Sequence, residues 1–412
     1  MNYDNIVIVD PGMLTTFGHH HTYNRTFGDF FKAGGLQPFF LFNKAMPPEI
    51  SDEFHPAAAT LDCTFYSHPN QNYADRQVFI TEAVKFSLSL EKALSRQTAP
   101  VIPITKYTLL FAHTFDPLHM AGCALWHKNQ SPDKRPFLAM NAMLGIEKDG
   151  DGAKLFAPLC YLAKKEPKIR LFGATRSLSA TLAQLCGKPC PMLPTPLPDN
   201  LPTAKDIRSA SNMTVNAANT HSLPRPLFGV MGDARPGKNL HLLPAACALY
   251  LQRGNGSILV QLTPTDIKAV GVVEALYDLQ VKYPERMSLN IHKQNSTDFY
   301  AEMAKLDAML MPYDPMAYHA SRASGPAIEA ASLGVPLIAL AGGFLEDELK
   351  PLDNGSFFMP QADAGALAKV MLLFDKEYPE RTGKAQAAAV DYRKVHCLDN
   401  IWRLLNFNDN LS

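Results

Sequence analysis

Two patterns of apolar residues alternate along this chain. In the first, four to six apolar positions follow one another almost without a break: Ile6–Val9, Pro38–Phe42, Thr108–Ala112, Phe137–Met140 and Ile169–Ala174. Short runs rich in β-branched and aromatic side chains predict strands buried on both faces. In the second, apolar residues return every three or four positions, as in Tyr73–Ser95 and Leu178–Leu185. That period predicts amphipathic helices. Strands alternating with helices specify a parallel sheet covered on both sides.

Proline then interrupts the alternation at positions 189, 191, 194, 196, 198 and 202, and a polar stretch, Lys205–Ser222, leads to Pro224 and Pro226. Such a composition supplies no core and predicts a boundary or linker. Beyond it the alternation resumes. Leu227–Met231, Ser257–Leu262, Met287–Ile291, Ala308–Met311 and Pro336–Ala339 are the strand runs. Leu240–Gln252, Asp298–Ala304 and Ala327–Leu333 read as helices, with Asp363–Phe374 and Ala385–Val395 as two closing helices. A chain of 412 residues is also longer than one hydrophobic core usually serves. The expected architecture is α/β, with two Rossmann-like doubly wound domains facing each other across a cleft. The expected boundaries are 1–205 for the first domain, completed by a C-terminal helix at 386–412, then a linker at 206–225 and a second domain at 226–385.

Composition narrows the function classes. Lys plus Arg and Asp plus Glu both number 39, so no global basic charge points to nucleic acid. The N-terminal residues lack a basic segment followed by a long apolar run, and no window approaches a membrane span. Seven scattered cysteines fit reduced thiols and a cytoplasmic setting. Cys186 and Cys190 have no second pair at zinc-site spacing, so no metal site is expected.

Candidate chemistry falls at the carboxyl ends of the strands, where ligands of doubly wound sheets bind. The first strand ends at Asp10, followed by the loop Pro11–His21 with Gly12, Gly18 and three consecutive histidines, of which His19 is the first. Adjacent helical residues diverge by about 100°, so the three cannot face one ion. His113 ends another strand and can donate or accept a proton near neutrality. The second half opens with Gly232-Asp-Ala-Arg235-Pro-Gly-Lys238, a glycine-rich turn between a strand and a helix. Backbone donors with two cations, Arg235 and Lys238, suit a diphosphate. The turn nearly matches a P-loop, but Asn239 replaces the hydroxyl that ligates magnesium and Pro236 removes a donor. A third segment, Ser321–Ile338, joins a Ser324-Gly325-Pro turn to a helix start. The turn presents N–H groups to an anion, and Glu329, one turn on, can accept hydrogen bonds from sugar hydroxyls.

In this order the segments resemble the retaining glycosyltransferases of family 4, which have the two-domain GT-B fold. The similarity runs through Gly18-His19-His20, His113-Thr-Phe-Asp-Pro117, Met192-Leu-Pro-Thr-Pro196, Gly232–Lys238, Asp307–Tyr313 and Ser321–Pro336. The resemblance implies transfer of a hexose from a UDP- or GDP-linked donor to a sugar, lipid-linked or other small acceptor. It also implies retention of configuration, no metal, and a place in glycan biosynthesis. It assigns Gly18, His19, Arg235, Lys238, Ser324, Gly325 and Glu329 to the donor, Glu329 to its ribose, and His113 to the transferred sugar as the catalytic group. Lipid-linked acceptors would bring peripheral contact with a membrane. Acceptor contacts are expected from loops such as Asn43–His68. Two positions depart from the family pattern: Ser321 stands where its first glutamate is expected, and Asp233 where an arginine usually follows the glycine. The alternatives are a catalytically inactive partner protein with this fold, motivated by Ser321, and a P-loop-like nucleotide hydrolase.

Overall fold

Residues 3–16, 18–62, 76–95, 102, 104–143, 151–197, 201, 223–264 and 268–406 are described in the structure, a computed structural model. Among them, β1 (Asn5–Asp10), β2 (Pro38–Asn43), β3 (Ala57–Leu61), β4 (Thr108–Phe115), β5 (Phe137–Ala142) and β6 (Ile169–Gly173) form one sheet in the order β3-β2-β1-β4-β5-β6. A second sheet contains β7 (Leu227–Ala234), β8 (Ser257–Pro264), β9 (Met287–Asn290), β10 (Ala308–Met311), β11 (Leu337–Leu340) and β12 (Phe357–Met359), in the order β12-β11-β10-β7-β8-β9. Every pairing is parallel. Counted from its own first strand, each sheet has the doubly wound order 3-2-1-4-5-6. Strand order therefore reverses between β1 and β4 and again between β7 and β10, and these are the ligand-binding switch points of such sheets.

The chain forms two compact units, Met1–Pro196 with Cys397–Ser412, and Leu197–His396. In the first unit, successive strand residues alternate between two cores. Ile6, Ile8, Phe40, Phe42 and Phe111 meet Tyr23, Phe27 and Phe31 of the His19–Ala33 helix on one face. Val7, Val9, Leu41 and Leu110 meet Phe86 and Leu90 of the Arg76–Leu94 helix on the other. The period of two explains why these strands read as unbroken apolar runs. Leu398, Ile401 and Leu405 of the last helix, Leu398–Leu405, join the first of these cores. The second sheet alternates likewise, with Phe228, Val230, Ile258 and Leu310 on one face and Met231, Met309, Met311 and Ala339 on the other.

All ten strand runs read from the sequence are strands here. The short strands β3 and β12 were not among them. The three histidines placed in a loop instead start the His19–Ala33 helix, which Gly18 enters at a φ of 85°. The two expected closing helices are one 33-residue helix, Ala364–His396, running through Pro379. Its polar middle holds together through ion pairs one turn apart, Arg381 with Glu377 at 2.7 Å and Lys384 with Glu380 at 3.4 Å. The guanidinium of Arg381 also lies 3.5 Å from the centre of the Phe357 ring, tying that stretch to β12. Of the expected linker, residues 206–222 lie outside the described residues, as do 73–75 of the predicted Tyr73–Ser95 helix and 63–68 of the expected acceptor loops.

Candidate functional site

In the first unit, the switch point is built around Asp10, the last residue of β1, which is fully buried. Oδ1 accepts from Gly12 N at 2.9 Å and from His20 Nδ1 at 2.8 Å, and Oδ2 accepts from Asn24 Nδ2 at 2.5 Å. Burial alone would raise the Asp10 pKa. The charge and hydrogen bond of His20, with Asn24, outweigh it and hold the carboxyl below the usual carboxylate range. His20 and Asn24 lie one helical turn apart, so a single face of the His19–Ala33 helix grips the carboxylate. The close approach also requires Gly12, where a methyl group would fall 2.1 Å from His20 Cε1.

His113 lies in β4, 1 % exposed and across the reversal from β1. Asn24 spends Nδ2 on Asp10 and on the His20 carbonyl at 2.8 Å, so its Oδ1 is an acceptor. His113 Nε2 therefore donates to it at 3.1 Å, and Nδ1 accepts from Thr114 Oγ1 at 2.8 Å. Burial lowers the His113 pKa to about 4 against the pull of Asp10, with His20 adding to the fall, and the ring is neutral at pH 7. Both ring nitrogens are thus held by the chain itself. Tyr23 bridges the first unit's candidates, with ring centroids 5.6 Å from His19 and 5.9 Å from His113. Gly18 is exposed, and a methyl there would meet nothing within 4 Å.

In the second unit, the turn after β7 carries positive φ at Gly232 (102°) and Gly237 (81°), which L side chains rarely adopt. The turn folds Lys238 inward, leaving it 5 % exposed. Its ammonium forms no hydrogen bond or ion pair with the described residues. It lies 5.1 Å from the centre of the buried Tyr313 ring, just beyond β10. Burial lowers its pKa to about 8; Asp233 opposes the fall and Arg235 adds to it. Arg235 is more exposed and pairs with Asp233 at 2.5 Å.

The Gly325–Leu333 helix starts beside this lysine. A methyl on Gly232 would stand 3.5 Å from Lys238 Nζ and 3.9 Å from Pro326 Cγ. The N-cap, Ser324, is buried and its side chain makes no capping bond. Glu329 is partly buried, and burial raises its pKa to about 7, against a hydrogen bond from Tyr300 at 3.3 Å. A methyl on Gly325 would come within 4.0 Å of Glu329 Oε1, so the helix end and the carboxyl share one space. The loop after β10 closes on the same turn, since Asp314 N donates to Gly237 O at 2.8 Å and a methyl on Gly237 would lie 2.6 Å from Ala317 Cβ. In that loop, Ser321 Oγ and His319 Nδ1 share a hydrogen bond of 2.7 Å.

The residues singled out in the sequence therefore fall into two sets. Gly18, His19 and His113 are grouped in the first unit, and Arg235, Lys238, Ser324, Gly325 and Glu329 in the second. Sequence reasoning missed Asp10, His20 and Asn24 as one network, and Tyr313 and Tyr300 as partners of Lys238 and Glu329. The i, i+4 spacing of His20 and Asn24 after a strand-terminal Asp was the available signal. The tyrosines carried none. Among the described residues no cluster of His, Cys, Asp and Glu is arranged to hold a metal ion, and no helix is long and apolar enough to cross a membrane.

No protein-family model matches the sequence, and no curated protein matches it. Solved structures do match over nearly the whole chain. A glycosyltransferase from Rickettsia africae ESF-5 superposes with a TM-score of 0.65 at 13% identity, covering 98% of this chain and 97% of that one. Sucrose-phosphate synthase from Thermosynechococcus elongatus gives 0.63 at 14% identity, covering 98% and 97%. HepE from Anabaena, in complex with UDP and glucose, gives 0.59 at 13% identity and covers 98% of both chains. At such identities the likeness shows the fold, which is the GT-B fold of glycosyltransferases.

Proposed function

We propose that the chain is a glycosyltransferase that takes a hexose from a nucleotide-diphosphate sugar, with retention and without a metal ion. The observation that carries this reading is the buried Lys238, whose ammonium forms no hydrogen bond or ion pair with the described residues, beside a helix N-terminus whose N-cap side chain makes no capping bond. A buried cation of that kind is costly unless an anion completes it. The diphosphate supplies that anion. Lys238, the N–H groups around Ser324 and Gly325, and Arg235 at the rim meet the charge that grows on the leaving diphosphate. Glu329 accepts hydrogen bonds from the ribose hydroxyls. In the first unit the resemblance assigns Gly18 and His19 to the donor and His113 to the transferred sugar, and these assignments are part of the proposal. The HepE structure, in complex with UDP and glucose, supports a nucleotide-sugar ligand for this fold.

Calorimetric titration with UDP, GDP and ATP tests the reading. One of the two diphosphates binds the wild type, and Lys238→Ala and Glu329→Ala each weaken it. Unchanged affinity in both variants overturns the assignment. Binding of ATP with magnesium-dependent hydrolysis would instead favour a nucleotide hydrolase. A second reading, a GT-B protein that binds a nucleotide sugar without turnover, is favoured by Ser321, whose hydroxyl is spent on His319 where the family has a carboxylate. Turnover of any donor by the pure protein excludes it.

A further inference from the structure

Asp233 follows Gly232 near the end of β7, inside the turn proposed to hold a diphosphate. A carboxylate there repels the ligand that Lys238 and Arg235 attract. Its Oδ2 accepts from the Arg235 guanidinium at 2.5 Å, so one of the two cations of the turn meets an internal counter-charge. The Arg235 side chain is 59% exposed and that of Asp233 34%, and ion pairs so open to water contribute little. An incoming anion can therefore draw the long Arg235 side chain away, whereas the short Asp233 side chain stays with its strand.

The carboxylate also reaches the rest of the pocket. Burial lowers the pKa of Lys238 to about 8 and raises those of Tyr313 and Tyr318; the Asp233 charge acts on all three, opposing the first shift and adding to the other two. It therefore stands within electrostatic range of the buried ammonium and of the loop after β10. Gly232 N, beside it, already donates to Gln261 Oε1 at 3.1 Å, so that backbone donor does not offset the carboxylate. The site sets two cations, Lys238 and Arg235, against Asp233, and Glu329, whose pKa burial raises to about 7, adds a second anion when it ionises. With its own charges so nearly balanced, the site separates ligands by theirs. A free nucleoside diphosphate carries about one more negative charge than its hexose ester, because a terminal phosphate ionises a second time with a pKa of about 6. Repulsion from Asp233 grows with that charge.

We infer that Asp233 is a specificity-determining residue, which favours the nucleotide sugar over the product diphosphate and speeds release of the latter. The inference rests on the glycosyltransferase reading and adds to it a residue outside the family pattern. The test uses the full chain. Wild type, Asp233→Asn, Asp233→Glu and Lys238→Ala are titrated calorimetrically with UDP, GDP, UDP-glucose and GDP-mannose, and stopped-flow displacement of a fluorescently labelled UDP or GDP gives the release rate. Asp233→Asn keeps the shape and removes the charge. It binds the free diphosphate about tenfold more tightly and the hexose ester about threefold more tightly, and it releases the diphosphate about tenfold more slowly. Asp233→Glu restores the wild-type ratio of the two affinities. An aspartate with a merely structural role would give the opposite sign, since its loss weakens both ligands. Differential scanning calorimetry monitors folding, and Asp233→Ser, which also removes the charge, decides the matter if Asp233→Asn does not fold. Where a nucleotide binds and Lys238→Ala weakens it, unchanged or weaker affinity in Asp233→Asn overturns the inference and leaves the nucleotide site standing. An equal gain for diphosphate and ester overturns it as well. If no nucleotide binds either the wild type or Asp233→Asn, the glycosyltransferase reading falls and the inference falls with it.

Discussion

Replacing Lys238 with methionine should stabilise the unliganded second unit and abolish its nucleotide binding. Methionine keeps most of the aliphatic stem and removes the charge. The ammonium's pKa falls from 10.5 to about 8, which corresponds to about 3 kcal/mol of disfavour for the charged form. Below pH 8 the folded and unfolded chains both carry the proton, and the folded state bears the full cost of the buried charge. Between pH 8 and 10.5 only the unfolded chain keeps it, so stability rises with pH across that window. At neutral pH, Lys238→Met removes the cost. For a unit of this size about 3 kcal/mol is a rise of about 6–12 °C, reduced by the lost contact with the Tyr313 ring. Differential scanning calorimetry is the appropriate assay, since both tryptophans lie in the other unit. Wild type gains stability on adding UDP or GDP; the variant does not, and calorimetric affinity falls by about tenfold to a hundredfold. A lower melting temperature for the unliganded variant would show that the ammonium has a stabilising partner. Retained nucleotide affinity would remove Lys238 from the site.

Glu329, with a pKa raised to about 7, contributes stability that is present below pH 4.5 and lost as pH rises through 7, where the buried carboxyl must ionise. If the carboxylate is the form that binds ribose, nucleotide affinity rises between about pH 6 and 8, and Glu329→Gln flattens that profile in calorimetry. His113 acts in the opposite direction: its folded pKa of about 4 lies below 6.5, so the unfolded chain takes up the proton first and stability falls as pH drops through that window, as urea melts followed by tryptophan fluorescence should show. Asp10→Asn leaves His20 without its carboxylate and should destabilise the first unit by about 3 kcal/mol in the same assay. Gly237→Ala places a methyl 2.6 Å from Ala317 Cβ at a φ of 81°, and should cost about 1–3 kcal/mol and weaken nucleotide binding.

The doubly wound class was legible because parallel strands buried on both faces leave unbroken apolar runs. Ile6–Val9 and Ser257–Leu262 needed no tertiary information to be recognised. The long Ala364–His396 helix was not legible at its centre. Pro379 is a breaker by its own chemistry, and the ion pairs of Glu377–Arg381 and Glu380–Lys384, the packing of Arg381 on Phe357 and the hydrogen bond of Thr382 Oγ1 to Tyr378 O help carry the helix through it. The second unit's site could be named residue by residue because glycines, lysine and glutamate fall at the turn and helix start where an anion binds, and both signals are local. What those residues experience is not local. The burial of Lys238 against Tyr313, and of Glu329 beside Tyr300, arises from β10 and from a helix tens of residues away, and it is burial that moves both pKa values. In the first unit the difference is larger. The sequence singled out His113 by its place at a strand end. The folded chain closes both its ring nitrogens against Asn24 and Thr114, because hydrogen-bond satisfaction is a property of assembled neighbours and not of a residue's position in the chain.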